Sequence, residues 1–251
     1  MAVEVALIGV LGAMIGSFLN VVIYRVPRGE SIVMPASRCP GCGTAIAPWD
    51  NVPVVSWLVL RGRCRHCGIA ISPRYPAIEL LTALAFAGVA ATRGVDDDLV
   101  LQLPFVAVLI AVAGIDLEHK IVPNAIAAPA AVFAVVAAAF VMTGELPELL
   151  IAGAGAFAAM LLIALAYPRG MGMGDVKLAG VMGLYLGEAV IPALFIGFLT
   201  GAMVGLAIVA REGSGARKKG VPFAPFLALG GLVGLLAGPE LIDLYQDEFL
   251  A

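Results

Sequence analysis

Eight long apolar runs follow one another along this sequence, and they constrain its fold more than any other feature. A helix that crosses a bilayer needs about 20 mainly apolar residues. The runs lie at about residues 3–23, 77–92, 99–115, 121–142, 147–166, 176–190, 191–210 and 222–239. With 61% hydrophobic and 13% charged residues, the chain departs from the composition of soluble domains. The sequence therefore predicts an all-α integral membrane protein with about eight transmembrane helices.

The basic residues predict how these helices cross the membrane. If the N-terminus lies outside and the runs alternate, fourteen of the fifteen lysines and arginines fall on the cytosolic side, and only Arg93 does not. Because Lys and Arg concentrate in short cytosolic loops, both termini are predicted outside. The predicted division is a first helix at 1–23, a cytosolic segment at 24–76 and a seven-helix membrane domain at 77–251.

All four cysteines lie in this cytosolic segment, in two C-x-x-C motifs. The first motif holds Cys39 and Cys42, and the second holds Cys64 and Cys67. Two such motifs at this spacing are typical of structural zinc, in which four thiolates surround the metal tetrahedrally. The segment is therefore predicted to be a small zinc-ribbon-like unit. Two disulfides or four free thiols are the alternatives, although the cytosol is reducing.

Two aspartates lie at the edges of apolar runs, where ionisable groups are costly and often functional. By the predicted topology, Asp116 and Asp175 lie at the same membrane face. Converging carboxylates can share a proton, so that one acts as general base on water and the other as general acid. Gly172 and Gly174 would let a peptide backbone approach, which favours peptide hydrolysis. The alternatives are an N-cap at Asp175, an Asp116–Lys120 ion pair, and proton coupling in a secondary transporter.

Five stretches of the chain carry a family resemblance. They read GSFLNVVIYRVP at 16–27, SRCPGCGTAIAPWDNVPVVSWLVLRGRCRHCGIAISPRYPAIEL at 37–80, GIDLEHKIVPN at 114–124, GMGDVKLAG at 172–180 and VPFAPFLALG at 221–230. In content and order they resemble the type IV prepilin leader peptidases, which are membrane aspartic proteases of the G-x-G-D type. Where that family often has P-F-G-P, this chain has Ala224 in place of the glycine, which adds a methyl group at a tight position.

The resemblance implies that Asp116 and Asp175 are the catalytic pair. It also implies a substrate class, the prepilins and pseudopilins, whose short basic leader is removed at the cytosolic face of the bacterial inner membrane. Gly172, Gly174 and Lys177 are then the loop residues expected beside the substrate, with the Lys177 amine reaching toward the lipid headgroups. The implied partners are these pilin precursors and membrane lipid, without nucleic acid.

Many members of the family have a second activity, the methylation of the new N-terminal amine with S-adenosylmethionine. The intact four-cysteine segment goes with this bifunctional form. Gly62, in the stretch RGRC, and Glu79 match family motifs, so these are the residues that the resemblance links to methylation. The sequence has no G-x-G-x-x-G motif on a strand–helix unit to mark a cofactor site. A peptidase that does not methylate is the alternative.

Overall fold

The structure is a computed structural model that describes residues 1–142, 144–168, 170–212 and 221–249. The regular secondary structure of these residues is helical, and β-structure there is confined to two isolated bridges. Four of the basic residues that predicted the membrane orientation lie outside the described residues, namely Arg169, Arg217, Lys218 and Lys219.

Each of the eight predicted apolar runs corresponds to a helix of 14 residues or more, and one further helix is short. The helices of the described chain are α1 (Ala2–Arg25), α2 (Val55–Val59), α3 (Arg74–Arg93), α4 (Leu99–His119), α5 (Asn124–Val141), α6 (Leu146–Ala166), α7 (Met173–Leu186), α8 (Val190–Glu212) and α9 (Ala224–Phe249). Short 3₁₀ turns lie at Val26–Arg28, Pro48–Asn51 and Gly187–Ala189. The predicted all-α membrane fold is confirmed.

The number of membrane spans depends on how α7 and α8 are counted. Seven helical stretches of the described chain are long and apolar enough to cross a membrane, and one of them is the whole of Met173–Glu212. With 14 residues, α7 is about 21 Å long, which is shorter than a hydrocarbon core of about 30 Å. A 3₁₀ turn separates it from α8, with Gly187 at a φ of 56°.

Three helix ends differ from the predicted runs. The helix α7 begins at Met173 rather than 176 because Gly172 is extended and serves as its N-cap, so Asp175 lies inside the first helical turn. The helix α5 begins at Asn124 rather than 121 because Pro123 is extended. The helix α9 continues past 239 into the acidic residues that follow, since most of these are good helix formers.

The chain forms two compact units, and the first is Met1–Val95. Here α1 packs on α3 through glycines. A Cβ atom at Gly12 or Gly16 would lie 2.7 Å from backbone atoms of α3, so the two helices approach as closely as they do only because these side chains are missing. This contact places α3 in one compact unit with α1 and the cysteine segment.

The second unit is Asp96–Ala251, and small residues bring its helices together as well. A Cβ atom at Gly183 of α7 would lie 2.6 Å from the Ala152 carbonyl oxygen on α6. Gly231 of α9 faces both Leu109 of α4 and Met182 of α7. Since α4, α7 and α9 pack together, the C-terminal end of α4 meets the N-terminal ends of α7 and α9.

Candidate active site and cysteine cluster

Asp116 lies in the last turn of α4 and is only 5% exposed. Its Oδ2 accepts a hydrogen bond of 3.0 Å from the backbone amide of Ala224, the first residue of α9. The backbone amide of Phe223 also donates to this carboxylate. The first amides of a helix lack acceptors within the helix and favour negative charge. The start of α9 therefore holds and orients the Asp116 carboxylate.

Asp175 is the third residue of α7 and is partly buried. Its carboxylate accepts a hydrogen bond from the backbone amide of Gly172, the N-cap residue. In this capping-box geometry an acidic side chain at the third helical position bonds back to the N-cap amide. The predicted alternative, an N-cap at Asp175, is thus displaced by three residues, since Gly172 has that position.

The two carboxylates converge within the second unit. Asp175 lies close enough to Asp116 for their negative charges to repel each other. Lys120, the alternative ion-pair partner, also acts on Asp116 through its charge, so it neighbours the pair without replacing it. The neighbouring Glu118 and His119 approach each other at 3.9 Å. Two adjacent carboxylates, one buried and one partly exposed, have the chemistry for acid–base hydrolysis.

The three predicted loop residues have different surroundings. Gly172 is exposed, and the nearest atom to a Cβ placed on it would be Oδ2 of Asp175, at 3.5 Å. Gly174 instead packs on the loop after α4, where a Cβ would lie 2.9 Å from the Cβ of Val122. The Lys177 amine donates a hydrogen bond of 2.9 Å to Oδ1 of Asn124. Space beside the carboxylate is therefore found at Gly172. Gly174 instead permits the close contact between α7 and the loop after α4.

An open groove of about 660 Å³ runs along α5, α6 and α7 beside this site. Its walls are mostly small apolar residues, including Ala128, Ala154 and Gly180. The hydrogen-bonded pair of Asn124 and Lys177 lies at its polar end. Residues two apart on a helix face different sides, so Lys177 and Asp175 point away from each other on α7, and neither aspartate lines the groove.

The four predicted zinc ligands come together in the first unit. The Sγ atoms of Cys39, Cys42, Cys64 and Cys67 all lie within 4.8 Å of one another. Those of Cys39 and Cys67 are 3.7 Å apart, far longer than a disulfide bond of about 2.05 Å. Tetrahedral zinc with Zn–S bonds of about 2.3 Å requires sulfur atoms about 3.8 Å apart. The cluster therefore fits a four-thiolate metal site and does not fit two disulfides.

The two cysteine motifs are copies of one structural turn. The Cys39 amide donates to the Thr44 carbonyl and the Gly43 amide to the Cys39 carbonyl, and the same pair of bonds recurs 25 residues later at Cys64 and Gly68. Both glycines have a φ of 70°, a conformation in which glycine is favoured. The sequence carries this repeat as R-C-x-x-C-G-x-A-I at 38–46 and 63–71, and our sequence analysis missed it.

Hydrogen bonds in these turns favour the charged form of two thiols. The Thr44 side chain and backbone lower the pKa of Cys42 to about 6. The backbone amides of Cys67 and His66 lower the pKa of Cys64. Burial and the Cys39 side chain raise the pKa of Cys67, in contrast, to about 11. A thiol binds metal as the thiolate, so the hydrogen bonds at Cys42 and Cys64 favour the metal-binding form of those two sulfur atoms.

Comparisons with known proteins agree with this site. The family model of the bacterial peptidase A24 N-terminal domain matches residues 10–93, and that of the type IV leader peptidase family matches residues 103–206. A protein of Aeromonas hydrophila, named prepilin leader peptidase/N-methyltransferase, is 34% identical over a match that covers 98% of this chain and 94% of its own length. This chain belongs to the type IV leader peptidase family. The resemblance drawn from the sequence is confirmed.

Two further members of the family carry the same name. That of Bacillus subtilis is 34% identical, over 94% of this chain and 95% of its own length. That of Myxococcus xanthus is 38% identical over 81% of this chain, and the match spans 63% of the Myxococcus protein. No solved structure matches the chain.

Gly62 and Glu79, which the family resemblance links to methylation, both contact the segment around α2 in the first unit. Gly62 has a φ of 66° and packs on the ring of Trp57, and its amide donates to the Trp57 carbonyl. Glu79 is 8% exposed, and its Oε2 accepts a hydrogen bond of 2.7 Å from the Val54 amide. Both residues therefore fix the conformation of the loop that carries α2, and no catalytic contact of either residue follows from this geometry.

Proposed function

We propose that this protein is a membrane aspartic endopeptidase that removes the short basic leader from type IV prepilins or pseudopilins. The observation that carries the proposal is the convergence of the Asp116 and Asp175 carboxylates where α4 and α7 meet. Relatives that match over nearly the whole chain are named for prepilin processing, which supports the same substrate class.

The two carboxylates would divide the work of peptide hydrolysis. One of them takes a proton from a water molecule, and the water oxygen bonds to the carbonyl carbon of the scissile peptide. The other donates its proton to the carbonyl oxygen, which gives a gem-diol. The first carboxyl group then passes the proton it took from water to the departing nitrogen as the C–N bond breaks, and the second takes a proton back from a gem-diol hydroxyl. The leader keeps the new carboxyl group and the pilin keeps the new amine. Since the two groups act as one proton-sharing unit, both Asp116 and Asp175 are required.

The orientation of the site supports a cytosolic cut. By the charge rule, the ends of α4 and α7 that carry the aspartates face the cytosol, where a basic leader would remain. We therefore propose that the protein lies in the bacterial inner membrane, with both termini outside and the cysteine segment cytosolic. Gly172, which is exposed next to Asp175, is where an extended substrate backbone would pass. Lys177, whose amine is bonded to Asn124, lines the groove along α5, α6 and α7.

The groove along α5, α6 and α7 would admit the apolar helix of the substrate from the lipid. Filling it with Ala154→Phe should raise KM for a full-length prepilin, because Ala154 lines the groove. Ala159→Phe is the matched control, since Ala159 is an exposed residue of the same helix that does not line it. Equal kinetics for the two variants would remove the groove from the proposal and leave the peptidase assignment standing.

We propose that the protein also methylates the new N-terminal amine. S-adenosylmethionine would supply the methyl group, and zinc on the four cysteines would hold the segment between α1 and α3 in shape. Support comes from the relatives named N-methyltransferase and from the fit of the sulfur cluster to the metal. Glu79→Gln should reduce methylation more than cleavage, because Glu79 lies in the first unit and both aspartates lie in the second.

Mass spectrometry of one processed pilin N-terminus tests both activities. The purified protein is incubated with a prepilin and S-adenosylmethionine in detergent, with Asp175→Asn as the inactive control. A shortened pilin about 14 Da heavier than its unmodified sequence, the mass of one added methyl group, is the expected product. A shortened but unmethylated pilin leaves a peptidase alone, and an intact prepilin contradicts the proposed function.

A further inference from the structure

The first unit carries an exposed apolar surface at residues 49–59, outside the long helices. Its exposed side chains include Trp49 at 70%, Leu58 at 62% and Val59 at 71%. Val52 and Val55 are about half exposed beside them. We call these five side chains the apolar face. Side chains of this kind are costly to leave in water when they cluster.

The short helix α2 shows that this exposure belongs to the fold of the segment. Val55, Leu58 and Val59 have the i, i+3 and i+4 spacing of one helix face, and that face points outward. The inward position is held by Ser56, which is buried and whose hydroxyl donates to the Trp49 carbonyl and accepts from the Val52 amide. A helix that turns a serine inward and aliphatic residues outward is patterned for apolar surroundings.

Two hydrogen bonds fix the height of this segment relative to the membrane helices. The Val54 amide donates to Oε2 of Glu79 over 2.7 Å, and Glu79 lies five residues, or about 7.5 Å, inside α3. The Trp57 indole donates to the Ile71 carbonyl, just before α3 begins. Since the glutamate side chain spans only a few ångströms, the segment lies at the level of the first turns of α3.

Charged groups around the segment suit a lipid surface. Asp50 is the one acidic residue of residues 49–59, and Arg65 pairs with it at 2.6 Å. Arg61 and Arg63 follow directly and are exposed, and Arg28 is exposed at the end of the first membrane span. Basic side chains beside an apolar face attract anionic headgroups, and tryptophan favours the boundary between headgroups and acyl chains.

We propose that residues 49–59 lie in the bilayer interface beside the ends of α1 and α3, with the apolar face in contact with lipid. The segment between the cysteine motifs is then a membrane-contacting element that holds the cysteine cluster close to the bilayer surface. This inference does not depend on the proposed peptidase activity, because every contact that carries it lies within the first unit.

The test uses tryptophan fluorescence of the full chain in proteoliposomes. The chain has two tryptophans, so the difference between the unchanged protein and Trp49→Phe isolates the emission of Trp49. Phosphatidylcholine brominated near the headgroup end of its acyl chains should remove most of the Trp49 emission. Aqueous iodide should quench that emission weakly. Strong quenching by iodide without quenching by brominated lipid would overturn the proposal.

Two further variants, each with one tryptophan added to the Trp49→Phe protein, extend the test, and the emission of Trp57 is subtracted in both. Val59→Trp probes the other end of the apolar face and should respond to brominated lipid as Trp49 does. Ile46→Trp, on the first cysteine motif, is the control for an aqueous position and should respond to iodide. A Val59→Trp signal that iodide quenches and brominated lipid does not would show that water or protein covers the apolar face, and would overturn the proposal independently of Trp49.

Discussion

Replacing Ala224 with proline should slow cleavage by removing the amide that holds Asp116. Proline is accepted at the first position of a helix because its φ fits and the missing amide has no acceptor within the helix, so α9 should still begin there. The lost bond is the 3.0 Å contact to Oδ2 of Asp116. A hydrogen bond to a charged group contributes about 1.5–3 kcal/mol. Because about 1.36 kcal/mol corresponds to a tenfold change in rate, we expect kcat to fall about 10- to 150-fold.

The assay is cleavage of a purified prepilin in detergent, followed by the appearance of the shortened pilin. Ala224→Gly is the matched control, because it keeps the amide and restores the residue that the family often has at this position. It should cleave at nearly the unchanged rate. Both variants are compared by melting temperature, so that loss of the fold is distinguished from loss of the hydrogen bond to Asp116. A folded Ala224→Pro protein with unchanged kcat would refute the role assigned to the start of α9.

Two further changes test the metal cluster and the helix packing. Purified protein should hold about one zinc per chain; Cys67→Ser should lose it, and His66→Ala, in the same motif, should keep it. Elemental analysis decides this, and a metal-free protein with four titratable thiols would contradict the assignment. Gly183→Leu should destabilise the second unit by about 1–3 kcal/mol or more, because a Cβ there would lie 2.6 Å from the Ala152 carbonyl oxygen. Gly155→Leu is its control, since a Cβ at Gly155 meets nothing within 4 Å, and equal melting temperatures for the two variants would refute the packing argument.

The main features of the fold were predictable because hydropathy is a local signal. Each apolar run must satisfy its own backbone hydrogen bonds in lipid, so a run of sufficient length predicts a helix without knowledge of its neighbours. The ends were harder to predict, because they depend on the conformation of single residues. Gly172 ends the loop before α7, and this brought Asp175 into a helical turn that hydropathy did not reveal.

The contacts around the site were less predictable, because they join distant parts of the chain. The amide of Ala224 bonds to Asp116 across 108 residues, and no local pattern at either residue signals that bond. Gly174 matched a substrate-loop motif, whereas its packing against Val122 depends on the tertiary fold. The repeat in the two cysteine motifs was present in the sequence, and an alignment of the chain with itself at an offset of 25 residues would have found it.

The most direct test of the account is prepilin cleavage by Asp116→Asn and by Asp175→Asn. Each variant keeps the size of the side chain and removes its ability to ionise. Since acid–base groups contribute about 10²- to 10⁴-fold to rate and the two carboxylates act as one unit, each change alone should lower kcat by at least about 10²-fold while the protein stays folded. Cleavage at the unchanged rate by either folded variant would contradict the claim that the two aspartates form the catalytic pair.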